Sequence, residues 1–278
     1  IVEYTPDELL FFSFNKGLFI FHKQTGQIRP FVLIDKEMND QTCINGFSVN
    51  IQRITKNKIL FSAQHIFIYD IVTRKFDIVA TMGKEYERQS PLIIATVGTK
   101  TYLSDLKNIC EYDSSEGTFK TIYQGQHIIN DASMDKDGVF WLASTEGLLR
   151  YDPRTGKSEL IQTSLFQDVA SVVADNQYRI WIGTRRHLFV YSSHTHNFAT
   201  LDEVDGVLPN EYIFHATLLA KNGDVFVGGT TGMTVVNSAV HFDTDSDYTV
   251  ELLDVLLNGL PVSLFEEQQH ATTRTIQI

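Results

Sequence analysis

Residues 139–157 read VFWLASTEGLLRYDPRTGK, and 40 residues further on, residues 179–197 read RIWIGTRRHLFVYSSHTHN. Both run through an aromatic, a small residue and a polar turn to Leu or Phe and a tyrosine. Aligned on that tyrosine, the chain holds six copies: Leu10 to His22, Lys58 to Asp70, Thr101 to Asp113, Phe140 to Asp152, Ile180 to Ser192 and Val225 to Asn237. The anchors Phe21, Tyr69, Tyr112, Tyr151, Tyr191 and Val236 are spaced by 48, 43, 39, 40 and 45 residues. A period of 40 to 50 residues is that of propeller blades, each too small to bury its apolar faces alone.

Each column has a physical role. Phe11, Ile59, Tyr102, Trp141, Trp181 and Phe226 are followed by Phe12, Leu60, Leu103, Leu142, Ile182 and Val227. Successive strand residues point to opposite sheet faces, so both faces are apolar and each sheet lies between two others. The next column, Ser13, Phe61, Ser104, Ala143, Gly183 and Gly228, is small except at Phe61. Gly17, His65, Asn108, Gly147, His187 and Gly232 occupy a turn column of types enriched at positive φ. The expectation is positive φ at Gly147 and Gly232, with Asn108 strained or left-handed like them. The repeat is therefore strand B, turn and strand C of a four-stranded antiparallel blade. Strand A precedes it (Ala132 to Asp135, Ser171 to Asp175), and strand D follows it (Ser158 to Ile161, Phe198 to Leu201).

The expected fold is all-β, with propeller blades over residues 1–242. Six blades are visible, and in a seven-bladed ring the missing blade precedes Ile1. Asp243 to Asp247 (DTDSD) reads as a linker, and residues 248–278 as the start of a C-terminal β-sandwich, its first strand turning at Asn258-Gly259. The chain starts inside strand A of the first blade with Ile, as a piece of a longer protein would.

Composition excludes several functions. With 278 residues, 43% hydrophobic content and a formal charge of −11, the chain has material for a large core and lacks the clustered cations that nucleic acid demands. No run approaches a membrane span. Cys43 and Cys110 form no disulfide framework or cysteine metal cluster and read as small buried hydrophobes.

Candidate chemistry is sparse. DTDSD resembles the start of a calcium loop, but Tyr248 stands where glycine is needed and the twelfth position lacks Glu, so it reads as a solvated linker. His194 and His196 share a predicted C–D turn without a third metal ligand. Gly228, Gly229 and Gly232 precede no helix and form no phosphate loop, so no cofactor is implied. Trp141 and Trp181 sit in an apolar column and read as core, not as sugar-stacking surfaces. No catalytic triad or carboxylate pair is identifiable.

Binding residues are therefore sought on loops. In a propeller the D–A connections and B–C turns share one face. The turn pairs Asn15-Lys16, Leu106-Lys107, Thr145-Glu146 and Arg185-Arg186 lie there, and the candidate ligand contacts are Arg185, Arg186, Glu146, Lys107 and Lys16. Tyr86, Tyr123 and His127 in the D–A segments add stacking surface. The arginine pair stands out because guanidinium forks grip carboxylates, sulfates and sugar hydroxyls.

Trp-Ile-Gly-Thr at Trp181 followed by Leu188 and Tyr191, with Trp-Leu-Ala-Ser at Trp141, resembles the repeats of two-component regulator propellers. Asp205 to Asn237 is similar to the last blade of such sensors, with an Asp-Gly opening, Asn210 and a Gly-Gly-x-x-Gly turn. The strand from Tyr248 resembles the start of the three-tyrosine β-sandwich that follows. Departures are the loss of most of the Gly-Thr motif in blades two and three and of a proline after the sixth blade. The resemblance implies a periplasmic sensor region of a hybrid two-component system. Its ligand would be an oligosaccharide from polysaccharide breakdown, and its output the transcription of glycan-utilisation genes. It further implies a membrane-anchored parent histidine kinase and a homodimer formed through the sandwich. The alternatives are a propeller enzyme, a lyase or glycosidase with acid/base residues on the axis, and a protein-interaction propeller.

Overall fold

The computed structural model describes residues 1–13, 16–31, 50–63, 65–81, 91–105, 107–161, 168–207, 210–240, 255–257 and 260–262. The chain divides into two compact units, Ile1–Thr244 and Asp245–Ile278. The first is all-β. It holds six antiparallel sheets in which strands follow chain order from the inside of the ring outward.

The first sheet is β1 (Val2–Thr5), β2 (Glu8–Ser13), β3 (Gly17–His22) and β4 (Ile28–Pro30), and the second is β5 (Asn50–Arg53), β6 (Lys58–Ser62), β7 (His65–Asp70) and β8 (Phe76–Thr81). The third comprises β9 (Leu92–Val97), β10 (Lys100–Asp105), β11 (Asn108–Asp113) and β12 (Thr118–Gln124). The fourth comprises β13 (Ile129–Met134), β14 (Phe140–Ser144), β15 (Gly147–Asp152) and β16 (Lys157–Ile161). The fifth is β17 (Ser171–Ala174), β18 (Arg179–Gly183), β19 (Leu188–Ser192) and β20 (Phe198–Leu201). The sixth has three strands among the described residues, β21 (Tyr212–Leu219), β22 (Val225–Gly229) and β23 (Gly232–Val236). The second unit holds one hairpin, β24 (Val255–Leu257) and β25 (Leu260–Val262), with Leu257 opposite Leu260. Its turn and the DTDSD stretch lie outside the described residues, as does Cys43.

The blades pack face to face. Trp141, Ala143 and Leu148 of the fourth meet Val172, Ile180, Ile182 and Phe189 of the fifth. Trp181, Leu188 and Val190 on the opposite face of the fifth meet Val225 and Val227 of the sixth. Burial of whole side chains of this size stabilises by roughly 1.5–3 kcal/mol each, which is why the repeat keeps two adjacent apolar columns.

Strand pairing corrects the column alignment in two blades. Tyr69 pairs with Ile59 and Phe21 with Leu9, as Tyr151 pairs with Phe140 and Tyr191 with Ile180. The residues equivalent to Trp141 are therefore Leu10 and Leu60, both wholly buried, rather than Phe11 and Ile59. The B–C loop of the first blade is one residue longer than those of the third, fourth and sixth between the tyrosine column and its strand B partner, and that of the second is one shorter. The misfit of Phe61 disappears with this shift, and in the first blade Phe12 takes the place of Ser13 in the small column. Ser62, buried beside Leu60's face, takes the small position, while Phe61 faces the first blade and stacks on Phe67 at 5.1 Å. At Gly183 the need for smallness is direct, since a β-carbon there would lie 2.4 Å from Ser171 Oγ.

Positive φ occurs in the B–C turns at Gly17 (89°), Gly147 (141°) and Gly232 (147°). Asn108 does not share it, contrary to expectation, and neither do His65 and His187. At Asn108 the turn is held by a side chain instead, because Asp105 Oδ1 accepts from both the backbone N (3.1 Å) and Nδ2 (2.8 Å) of Asn108. At His187, Thr184 Oγ1 accepts the N–H groups of Arg186 and His187 at 3.3 and 3.1 Å.

The aspartate after the tyrosine closes the C–D turn. Asp70, Asp113 and Asp152 each accept backbone N–H groups two residues on, at 2.9, 2.9 and 3.0 Å. Four residues beyond that column the chain turns left-handed, at Gly26 (69°), Arg74 (58°), Gly117 (68°), Gly156 (69°) and His196 (62°). A second aspartate, not read as a repeat element from sequence, ties strand A to the tryptophan. Asp135 Oδ2 accepts Trp141 Nε1 at 2.9 Å, and Asp175 Oδ2 accepts Trp181 Nε1 at 3.0 Å. Both tryptophans are core residues, at most 1% exposed.

Candidate functional site

Backbone hydrogen bonds bring the D–A connections and B–C turns together on one face. Gly125 N donates to Lys107 O (2.9 Å), Asp168 N to Thr145 O (3.1 Å), Tyr212 N to Thr184 O (3.2 Å) and Thr230 N to Glu211 O (3.0 Å). The opposite face carries the A–B and C–D turns, where the sequence is occupied with aspartate caps and left-handed positions.

Between the fifth and sixth blades this loop face opens into a cavity of about 380 Å³. Leu188, Leu201, Val207 and Tyr212 form its apolar floor, and Arg186, Asp202 and Glu203 stand at its rim. The acidic side is shaped by a 3-10 turn, Glu203–Asp205. Asp202 Oδ1 accepts Val204 N at 2.8 Å, Asp205 Oδ2 accepts Asp202 N at 3.1 Å, and Gly206 exits left-handed at φ 82°. The cationic side is shaped by Thr184, which holds the 184–187 loop so that Arg186 projects into solvent. Burial pushes the Tyr212 phenol above its ordinary value, and its hydroxyl lies 3.3 Å from Thr234 Oγ1. An apolar floor with a few polar groups at the rim is the usual construction of a site for a small organic ligand. Exposed carboxylates and a guanidinium suit hydroxyl groups, which both donate and accept.

Of the residues expected from sequence, Arg186 lines this cavity. Arg185 instead pairs with Asp168 (Nε to Oδ2, 3.4 Å) with both side chains mostly in solvent, a contact worth little. Lys16, Lys107 and Glu146 are exposed at turn tips of the first, third and fourth blades, apart from the cavity. Tyr123 is half-buried, its ring 4.7 Å from that of Tyr151 and its phenol raised by burial and by that neighbour, so it packs under the face. His127 is half-buried in the connection after β12. Tyr86 lies outside the described residues. Sequence reading missed Asp202, Glu203, His187 and Tyr212, of which only the acidic cluster before Gly206 leaves a local signal.

The histidines of the fifth C–D turn have separate partners. His194 lies against the Tyr178 ring at 3.9 Å, whereas His196 Nδ1 is 2.8 Å from the Tyr191 hydroxyl. Among the described residues no group of three or more His, Cys, Asp or Glu is placed to hold a metal ion.

The fold has counterparts among solved structures. One is the extracellular domain of a protein assigned to a hybrid two-component system, BT3049 from B. thetaiotaomicron, at TM-score 0.64 and 15% identity, covering 84% of this chain and 32% of that one. Another is the extracellular domain of BT4673 from the same organism, assigned to a one-component system, at TM-score 0.62 and 18% identity over 84% of this chain and 31% of that one. PorZ, a surface component of the type-IX secretion system of Porphyromonas gingivalis, matches at TM-score 0.60 and 13% identity, over 86% of this chain and 31% of that one. The chain spans about a third of the length of these proteins. No protein-family profile and no curated protein sequence matches it. At these identities the likeness is one of fold, and it agrees with the propeller blades that the repeat motifs imply. Among the described residues no helix is long and apolar enough to cross a membrane.

Proposed function

We propose that this chain is the extracytoplasmic ligand-sensing region of a hybrid two-component histidine kinase, binding oligosaccharides released by polysaccharide breakdown and controlling glycan-utilisation genes. The observation that carries this reading is the cavity between the fifth and sixth blades, with its apolar floor and the Arg186, Asp202 and Glu203 rim. It lies on the loop face of a propeller whose fold is shared with an extracellular domain assigned to such a system. The region acts by binding, without turnover, in the periplasm of a membrane-anchored dimer whose β-sandwich follows the propeller.

The ring of the parent protein contains a further blade between the sixth and the first. Supporting this, the far face of the sixth sheet presents Leu218, Met233 and Val235 at 59%, 60% and 52% exposure. The outer face of the first presents Ile28 and the half-buried, stacked pair Phe11 and Phe19. Two apolar sheet faces of this size are stable when a sheet covers them.

The test is a binding screen of the protein against oligosaccharides, run beside a product assay. Binding of at least one oligosaccharide with no product formed is the expected result. Product formation that depends on an axial acid would favour the enzyme reading instead.

A further inference from the structure

On the axis, the innermost strand of the sixth blade leaves its register. Tyr212 pairs with Gly229 and Thr217 with Val227, so residues 213–216 stand opposite Gly228 alone. Ile213 and Phe214 are thrown out to 45% and 56% exposure, and His215 takes φ 58°. The left-handed region costs a residue with a β-carbon about 1–2 kcal/mol, and bulges of this kind commonly re-aim side chains next to functional sites.

What holds His215 there is a buried carboxylate two blades away. Asp131, 3% exposed, lies with Oδ1 3.2 Å from His215 Nδ1 and 3.0 Å from its neighbour Ala132 N. Its Oδ2 accepts Val172 N at 3.0 Å and Thr217 Oγ1 at 3.4 Å. An ionised carboxylate only accepts, so Nδ1 carries the proton and the ring is fixed in orientation, leaving Nε2 for another partner. His215 lines an axial cavity of about 450 Å³ with Gln52, Ser133 and Thr217 as its other polar side chains beside Asp131. That volume falls within the roughly 300–1,000 Å³ of small-molecule sites.

We propose that this axial cavity is a second binding site, for a neutral, hydroxyl-rich ligand of sugar size, with His215 as the group that recognises it. No lysine or arginine lines the cavity among the described residues, and the His215–Asp131 pair is neutral or negative overall, so an anion is disfavoured. A hydroxyl group donates to a neutral Nε2 and accepts from a protonated one. Gln52 and Ser133 likewise both donate and accept, which matches the same chemistry. The inference rests on the sugar-sensing reading above but assigns it a different place and residue.

The experiment is a titration of the full 278-residue chain, labelled at the histidine ring nitrogens, with glucose, maltose and cellobiose as neutral probes and glucuronate as the anionic one. The Nε2 resonance of His215 shifts with a neutral probe. His215→Gly, which suits the left-handed backbone and leaves Asp131 its bonds from Ala132 N, Val172 N and Thr217 Oγ1, weakens that probe by about tenfold or more in calorimetry, the worth of one good hydrogen bond. A response to glucuronate alone, no response to any probe, or full affinity in His215→Gly overturns the proposal. Running the same calorimetry on Arg186→Ala separates the two sites. Affinity lost there and kept in His215→Gly overturns the axial site and leaves the loop-face reading standing, whereas absence of all saccharide binding removes both.

Discussion

Removing the aspartate that binds each tryptophan should unfold the propeller by amounts that differ between the fourth and fifth blades. Asp135→Ala takes the acceptor from Val139 N at 3.0 Å and Trp141 Nε1 at 2.9 Å, two donors in residues 3% and 1% exposed. At about 1–3 kcal/mol for each buried donor left unpaired, the loss is about 3 kcal/mol. Asp175→Ala removes the corresponding contacts to Arg179 N and Trp181 Nε1, both at 3.0 Å, and also leaves the Arg179 guanidinium, which still donates to Val240 O, without its counter-charge. That group is 11% exposed with Nε 2.6 Å from the carboxylate. Breaking a buried pair by removing one partner costs about 3–5 kcal/mol by itself, so Asp175→Ala should exceed Asp135→Ala by at least about 1 kcal/mol. The chain's two tryptophans are the two reporters, so urea unfolding followed by tryptophan fluorescence reads the sites directly. A loss below about 1 kcal/mol for Asp135→Ala, or equal losses for the two variants, would refute the assignment of these carboxylates as blade braces.

Backbone strain gives a pair of opposite signs. Arg74→Gly, at a left-handed C–D turn, should raise stability by up to about 1 kcal/mol, whereas Gly232→Ala at φ 147° should lower it by about as much or more, both checked by thermal denaturation. Burial pushes the Glu111 carboxyl up, but Lys120 and Lys100, each 3.1 Å away, more than offset it and leave it below the ordinary value. Its stabilising effect is therefore complete above the unfolded value of about pH 4.3 and lost as pH falls through the lower folded one. Glu111→Gln should accordingly flatten the acid limb of the stability curve, and an unchanged limb would contradict this. Burial raises the Cys110 thiol to about 11, so at pH 8 iodoacetamide should modify it only after unfolding, as mass spectrometry of the Cys110 peptide will report.

The blade period, the tyrosine anchor and the B–C glycines were legible because each obeys a local rule: two apolar faces, a buried tyrosine ring in the second to fifth repeats, one backbone position suited to glycine. The displacement in the first two blades was not. Leu10 and Phe11, like Leu60 and Ile59, are both apolar, so hydrophobicity is blind to a one-residue change of loop length that strand pairing exposes. The Asp135–Trp141 and Asp175–Trp181 spacings were present in the chain, but two copies among six blades do not define a column. Left-handed C–D positions were masked where Arg74 and His196 replace glycine. Of the loop face, Arg186 was accessible to reasoning from turn position. Tyr123 belongs to strand β12 and not to the D–A connection, and β11 and the following blade half-bury its ring. The Asp131–His215 contact joins residues 84 positions apart through a bulge, and no local pattern announces such a pair.

The central claim, that the loop face between the fifth and sixth blades receives the ligand, is tested most directly by hydrogen exchange of the protein with and without an oligosaccharide found to bind it. Slowed exchange in residues 184–188, 202–207 and 210–212, weakened by Arg186→Ala, is the predicted result. Protection confined to the A–B and C–D turns, or an oligosaccharide cleaved during the measurement, would contradict it.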